Sequence, residues 1–454
     1  MPDATSLPCF KAYDIRGKVP SELNADLAYK IGRALVEFLS AKRIVAGRDV
    51  RASGEELRAA LVRGITEAGA DVDDIGLCGT EMVYFATSHL HADGGVMITA
   101  SHNPPEYNGM KFVREQSKPI SADTGLKDIE RMCLRGVFKP SATAGRTREV
   151  DISAEYVQRL LTYVDVTKLK PYKVVVNAGN GCAGPVLDLL EPHLPFQFIK
   201  VHHEPDASFP HGIPNPLLVE NRQPTIDAVM ENHADIGVAW DGDFDRCFFF
   251  DEKGHFIEGY YIVGFLAQAL LAKQPGSAII YDPRLTWNTI ELVKNHGGIP
   301  VQCKSGHAFI KEKMRQEEAI YGGEMSAHHY FKDFFYCDSG MVPWLLVLEI
   351  MSREGKPFST LVEERIRKFP CSGEINNRVA DADAAIEQVR RHFERLHPIV
   401  DVTDGISFEF PDWRFNLRQS NTEPVLRLNV EARDSIARME EKTREILSLI
   451  QRQG

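Results

Sequence analysis

Paired cysteines are missing from this chain. Its eight cysteines lie singly, with no CxxC. That argues against a zinc site or a disulfide frame and for reduced thiols in a cytoplasm. Long apolar runs are missing too. The longest, YYIVGFLAQALLA near 260–272, falls short of the roughly 20 residues that span a bilayer, so no membrane partner is expected. The opening MPDATSLPCF has neither the basic stretch nor the apolar core of an export signal. A basic surplus is also absent. With 53 Lys+Arg against 64 Asp+Glu, the net charge is −11, so the footprint of a nucleic-acid binder is lacking. An anionic small substrate stays open, because a few cations clustered in a cleft outweigh a diffuse negative surface. What is present is 454 residues, 43% hydrophobic and 26% charged. That is ordinary globular material, enough for about three or four domains.

One plan recurs three times. The first run has strand IVAGRD (44–49), a helical stretch near 53–69, strand ADVDDIG (70–76), another helical stretch and strand GGVMITASHN (94–103). The second has KVVVNAGNG (173–181), a helix near 184–191, FQFIKVH (196–202), a helix near 223–233 and ADIGVAWDGDFD (234–245). The third has SAIIYDPRL (277–285), a helix near 288–296, GIPVQCKSGH (298–307), a helix near 308–317 and AIYGGEMSAHH (319–329). Short β-rich runs alternating with helical patterns read as βαβ units around a mostly parallel sheet. In such sheets function sits beyond the carboxyl ends of strands. The third strand of each unit ends on something chemical: TASHN, DGDFD, GEMSAHH. The expected fold is therefore α/β: three similar domains with mixed, mostly parallel sheets around a central cleft. A smaller C-terminal α+β domain follows, with the alternating strand VLRLNVEA and a closing helix 433–452. The expected domains are 1–150, 151–256, 257–368 and 369–454.

Each chemical stretch has a dull rival. In DGDFDR, Asp241, Asp243 and Asp245 stand at i, i+2 and i+4, which puts them on one side of an extended segment. Three close carboxylates repel unless a cation lies between them, and an all-oxygen set suits Mg²⁺. The rivals are a polar turn, an aspartate nucleophile of DxD type, and an EF-hand. The last fails because Arg246 stands where that loop needs glycine. NAGNGCAG (177–184) contains G-x-G-x-x-G, a dinucleotide fingerprint. Alone it is a weak motif, and it begins in mid-chain. RQSNTEP (418–424) gathers a guanidinium, two hydroxyls and an amide, which is how a loop holds a phosphate dianion; a plain turn is the alternative. GEMSAHH offers Glu324, Ser326, His328 and His329 for a metal or a polyol. KAYDIRG has Tyr13 and Arg16 ahead of the first helix. Ser101 closes an apolar strand, VMITA. If the units face one cleft, it meets the acidic loop and becomes a phosphoryl carrier; otherwise it is a turn serine.

TASHNPPEYNGMKF, DGDFDR, GEMSAHH and RQSNTEP, in that order and over essentially the whole chain, resemble the phosphoserine, metal, sugar and phosphate loops of the α-D-phosphohexomutases. FKAYDIRG and the methionine of GEMS are most similar to the branch acting on mannose and on mannose or glucose phosphates. The resemblance implies four domains in a heart shape and assigns NAGNGCAG to the core of the second. It implies transfer between the 6- and 1-positions of a hexose phosphate through phosphoserine at Ser101 and a hexose 1,6-bisphosphate. Mg²⁺ would lie on Ser101, Asp241, Asp243 and Asp245. His102 and Lys111 would flank the phosphoserine as candidates for proton transfer and charge stabilisation. A lysine base would need a lowered pKa, which Mg²⁺ and Arg246 could supply. Glu324 and Ser326 would take sugar hydroxyls. His307 and His328 would lie near the ring or the transferred group. Arg418, Ser420, Asn421 and Thr422 would hold the other phosphate, and Tyr13 and Arg16 would border the cleft. The partner implied is a hexose phosphate, bound by a monomer or homodimer. Arg284 stands where the dual-specificity enzymes carry lysine, Glu423 where threonine is common, and AHHYF departs from their small-residue loop. These differences favour mannose. The rivals are the dual mannose/glucose enzyme, a phosphatase in which water takes the phosphoryl group, and a non-catalytic sensor.

Overall fold

The fold is given by a computed structural model, described here over residues 6–419 and 425–451. The chain divides into two compact units. One runs to Phe256 and resumes over His328–Gly355; the other comprises Ile257–Ala327 and the chain from Lys356 onward.

The first unit opens on a six-stranded sheet in the order Ile15–Lys18, Tyr107–Arg114, Gly94–Ile98, Arg43–Arg48, Asp71–Leu77, Thr147–Glu149. Its inner strands are parallel, and Tyr107–Arg114 returns antiparallel to Gly94–Ile98. Helix Ala25–Leu39 begins where the Asn24 side chain accepts from Leu27 N at 3.0 Å, satisfying one of the free N–H groups of the first turn. It buries Leu27, Ala28, Ile31, Ala34 and Leu35, a helical stripe against the sheet. It crosses helix Gly54–Glu67 at two glycines. A Cβ on Gly32 would lie 2.4 Å from Leu61 O, and one on Gly64 2.2 Å from Tyr29 O. The helices meet backbone to backbone there, which only hydrogen side chains permit.

The second sheet sets Cys247–Phe250, Ile236–Trp240, Lys173–Asn177 and Gln197–Val201 side by side. The last three are parallel and the first antiparallel. Trp240 Nε1 donates to Gly340 O at 2.8 Å. Its ring stands edge-on to Trp344, centroids 6.3 Å apart.

In the second unit, Ile299–Gln302, Ala278–Tyr281 and Tyr321–Gly323 are parallel neighbours. The C-terminal sheet is antiparallel throughout, in the order Ile375–Asn377, Leu426–Ala432, Trp413–Gln419, Ile406–Glu409, Ile399–Asp401. Its apolar face is covered by helices Ala382–Glu394 and Ile436–Gln451, through Val389, Phe393, Ile446 and Ile450. The apolar run near 260–272 is the buried helix Gly259–Lys273. Among the described residues no helix is long and apolar enough to cross a membrane. The chain thus carries three α/β domains with mixed, mostly parallel sheets and a smaller C-terminal α+β domain.

Candidate active site

Strand Gly94–Ile98 runs out through Thr99 and Ala100 to Ser101, whose φ is 49°. Strand Ile236–Trp240 stops directly before Asp241. These carboxyl ends converge. Ser101 Oγ donates to Asp241 Oδ2 at 2.7 Å and lies 3.0 Å from His102 Nδ1. Arg246 donates to Asp241 Oδ2 through Nε at 2.9 Å and Nη2 at 2.8 Å. It also donates to His102 Nδ1 at 2.5 Å. A guanidinium only donates, so His102 Nδ1 is an acceptor and its proton sits on Nε2. Burial, then the Arg246 and Arg16 charges, hold this imidazole well below its ordinary pKa.

Lys111, on strand Tyr107–Arg114, reaches Asp243 Oδ2 at 2.7 Å and Asp245 Oδ2 at 2.5 Å. Burial disfavours its charge, but the two carboxylates outweigh it and push the pKa up. The lowering a lysine base needs is therefore not supplied by these neighbours. Burial, with the charges of Asp245 and Asp243, pushes Asp241 up to about 6 against the pull of Arg246. Asp243 and Asp245 feel the same burial and are nonetheless held down by Lys111.

The three aspartates do not meet by strand alternation. Residues 241–245 turn, with Phe244 N on Asp241 O at 3.1 Å and Phe244 at φ 43°. The turn still gathers one oxygen from each carboxylate within 4.8 Å of the others. Asp243 Oδ1 is buried and accepts no hydrogen bond. A bare buried lone pair in an all-oxygen set fits a hard divalent cation. One glycine of NAGNGCAG serves this turn, while Gly179 packs on Pro214 and Gly184 on the His203 carbonyl. A Cβ on Gly181 would lie 2.7 Å from Gly242 O, so the fingerprint marks close packing beneath the acidic loop. His328 Nε2 is 3.5 Å from Asp245 Oδ1. Arg16 donates to Ala100 O at 3.2 Å and Asn103 Oδ1 at 2.5 Å. Tyr13 is half-buried just ahead of strand Ile15–Lys18.

A second cluster lies in the other unit. Arg284 donates to Asp282 Oδ1 at 2.9 Å, to Ser326 Oγ at 3.2 Å and to Glu324 Oε1 at 3.4 Å. Glu324 also accepts from Gly306 N at 2.9 Å, immediately before His307 opens helix His307–Gln316. Glu374 gathers Arg284 at 3.4 Å, Arg418 at 3.2 Å and Arg427 at 3.3 Å. Its burial penalty is outweighed by these three cations, which hold the carboxyl below its ordinary pKa. Ser420, Asn421, Thr422 and Glu423 lie outside the described residues.

Sequence reasoning overlooked Asp49, Arg51, Thr80, Thr99, Asp282, Glu374 and Arg427. Thr80 Oγ1 donates to Asp243 Oδ2 at 2.6 Å. A signal was present for four of them. Asp49-x-Arg51 and Asp282-x-Arg284 follow the first strand of their repeats, and in each the arginine N–H donates to the aspartate Oδ1 at 2.9 Å.

Four family profiles cover nearly the whole chain: phosphoglucomutase/phosphomannomutase alpha/beta/alpha domain I over 8–138, domain II over 154–254, domain III over 258–369, and the C-terminal domain over 374–447. A protein of Xanthomonas campestris named "Phosphohexose mutases" is 60% identical over 446 residues, 98% of this chain and 99% of that one. A phosphomannomutase of Escherichia coli is 59% identical over 98% of this chain and all of its own. The solved phosphoglucomutase/phosphomannomutase family protein of Burkholderia thailandensis superposes with a TM-score of 0.88 at 34% identity, over 98% of both chains. The chain belongs to the phosphoglucomutase/phosphomannomutase family. It is an enzyme of the mutase class.

Proposed function

We propose that this protein is a phosphomannomutase, interconverting mannose 6-phosphate and mannose 1-phosphate through phosphoserine at Ser101. The observation that carries this is the Ser101 hydroxyl, 2.7 Å from Asp241 within a buried triad of carboxylates. In the first half-reaction the bond from phosphorus to Ser101 Oγ breaks as one forms to the free hydroxyl oxygen of the hexose phosphate. The hydroxyl proton passes to a group flanking the serine, for which the neutral His102 is the candidate, because Lys111 is held protonated by Asp243 and Asp245. The resulting 1,6-bisphosphate reverses and returns its other phosphoryl group to Ser101.

Asp241, Asp243, Asp245 and the serine-borne phosphate would hold Mg²⁺. When bound, that ion supplies charge neutralisation to the equatorial oxygens. Arg246 keeps Asp241 ionised and turned toward Ser101. Lys111 adds positive charge where phosphate charge builds. Glu324 and Ser326 accept and donate to sugar hydroxyls in either orientation. Arg418, with Ser420, Asn421 and Thr422, binds the phosphate that is not reacting. Tyr13, Arg16, Arg284, His307 and His328 complete the substrate contacts. The free thiols support a cytoplasmic setting. The broader name of the Xanthomonas relative makes glucose 1-phosphate the second substrate to test.

Phosphorus NMR decides. The enzyme, Mg²⁺, mannose 1-phosphate and a trace of hexose 1,6-bisphosphate should give the 6-phosphate, faster with the bisphosphate and faster than from glucose 1-phosphate. Equal rates would make it a dual enzyme. Inorganic phosphate as the product would replace the mutase reading with hydrolysis.

A further inference from the structure

The loop that carries Ser101 is held from behind by one side chain. Arg51 is 2% exposed. Its Nη2 donates to Ser101 O at 2.9 Å and Asn103 O at 2.6 Å. Its Nη1 donates to Pro104 O at 2.8 Å and Tyr107 O at 2.9 Å. Three carbonyls of the loop, and that of Tyr107 where the next strand begins, thus converge on one guanidinium. Asp49, 1% exposed, sets that guanidinium. Its Oδ1 accepts from Arg51 N at 2.9 Å, and its Oδ2 lies 3.4 Å from Arg51 Nε. The same Oδ2 accepts from Thr99 Oγ1 at 2.7 Å, and Thr99 Oγ1 accepts from Ser101 N at 2.8 Å. Ser101 is therefore pinned at both ends of its peptide unit: its N–H through Thr99 to Asp49, its C=O to Arg51. It needs pinning, because φ at Ser101 is 49°, a conformation that residues with a Cβ seldom adopt unless their surroundings impose it.

The third repeat uses the same device. Arg284 N donates to Asp282 Oδ1 at 2.9 Å, and Asp282 Oδ2 accepts from Met325 N at 2.8 Å. Arg284 reaches the loop that follows the third strand, at Glu324 and Ser326. In both repeats an Asp-x-Arg after the first strand grips the loop after the third.

We propose that Arg51, oriented by Asp49, is a positioning residue for the phosphoryl carrier: it holds the 101–107 loop so that Ser101 Oγ meets Asp241, and it touches no substrate. Arginine is required because two separate nitrogens must each serve two carbonyls. A lysine ammonium is a single point with three donors and cannot span them. A displacement of the order of 1 Å at a reacting atom costs about 100-fold in rate.

The inference rests on Ser101 being the nucleophile, so the test separates the two. Parent, Arg51→Lys and Asp49→Asn, each as the full chain with Mg²⁺, are mixed with glucose 1,6-bisphosphate. Phosphoryl transfer to Ser101 is timed by quenched mass spectrometry. Mannose 1-phosphate affinity is measured by calorimetry, and melting is recorded in parallel. The expected result is a parent labelled at Ser101, with Arg51→Lys about 100-fold slower and its affinity within threefold of the parent. A folded Arg51→Lys labelled within threefold of the parent rate overturns the positioning role. A parent never labelled at Ser101 overturns the nucleophile reading instead. Should Arg51→Lys fail to fold, Asp49→Asn carries the test. It keeps the arginine but loses the charge that orients it, and is expected to label about tenfold slower with affinity unchanged. Labelling at the parent rate overturns the proposal.

Discussion

At the scale of single residues, the serine, the acidic turn and one buried glutamate give separable expectations. Ser101→Ala removes the phosphoryl acceptor and should lower turnover by about 10³-fold or more, while calorimetry still shows hexose-phosphate binding; unchanged turnover would refute the phosphoserine route. Asp243→Asn removes a charge that serves both Lys111 and the cation set. Activity should fall by about 10²-fold, and the Mg²⁺ concentration for half-maximal rate should rise. Full activity without added metal would refute the ligand assignment. Glu81 follows Thr80, whose hydroxyl donates to Asp243, but its own carboxylate serves a helix. It accepts from Tyr156 and Ser339 hydroxyls and from Gly340 and Met341 N–H, closing the N-terminus of helix Met341–Glu354. Burial pushes its pKa from 4.5 up to about 8 despite those donors. Because the folded value lies above the unfolded one, its contribution is complete below pH 4.5 and is lost as pH rises through about 8. Glu81→Gln, with the two hydroxyls rotated to accept from the new amide, should therefore flatten the fall in stability over that window. Parallel denaturation curves for parent and variant at pH 5 and pH 8 would contradict this.

At the scale of elements, helices Ala25–Leu39 and Gly54–Glu67 meet backbone to backbone at the crossing of Gly32 and Gly64. Gly64→Ala gains about 1 kcal/mol of helix propensity. It also drives a methyl to 2.2 Å from Tyr29 O, and overpacking of that kind costs about 1–3 kcal/mol. The carbonyl is backbone and cannot swing away, so the upper end applies and the melting temperature should drop by several degrees. No drop would mean that the helices separate freely. The repeated strands and helices were legible because hydrophobic period and turn residues agree in them. Strand IVAGRD is found at Arg43–Arg48, and the helix near 288–296 at Trp287–Asn295. The return strand Tyr107–Arg114 was not read. Its residues YNGMKFVR mix glycine, asparagine and lysine, and the lysine is buried only because Asp243 and Asp245, far along the chain, neutralise it. The three aspartates do come together, but through a turn and not the extended segment expected, since nothing local announces a left-handed Phe244. Arg51 went unread because its partners are backbone carbonyls, which no side-chain pattern reveals.

At the scale of the whole molecule, the thiols form a uniform population. None of the eight is in a disulfide; seven are buried and Cys371 is half-buried. Burial raises Cys9 to about 11 and Cys133, Cys303 and Cys371 to about 12, which suppresses the reactive thiolate. A thiol-colouring reagent at neutral pH should therefore find no more than one fast cysteine in the native protein and all eight after unfolding, and reductant should leave the melting temperature unchanged. Several fast thiols in the native state would show that the cores open readily. The four tryptophans are all buried as well, but one of them borders the acidic turn. Trp240 adjoins Asp241 in sequence, and its indole stands edge-on to Trp344 at 6.3 Å, close enough for their excited states to couple. The acidic turn thus has a native optical label one residue away. Cation or phosphate arriving at Asp241 is expected to shift emission and near-ultraviolet dichroism, so occupancy can be followed in unlabelled enzyme during turnover.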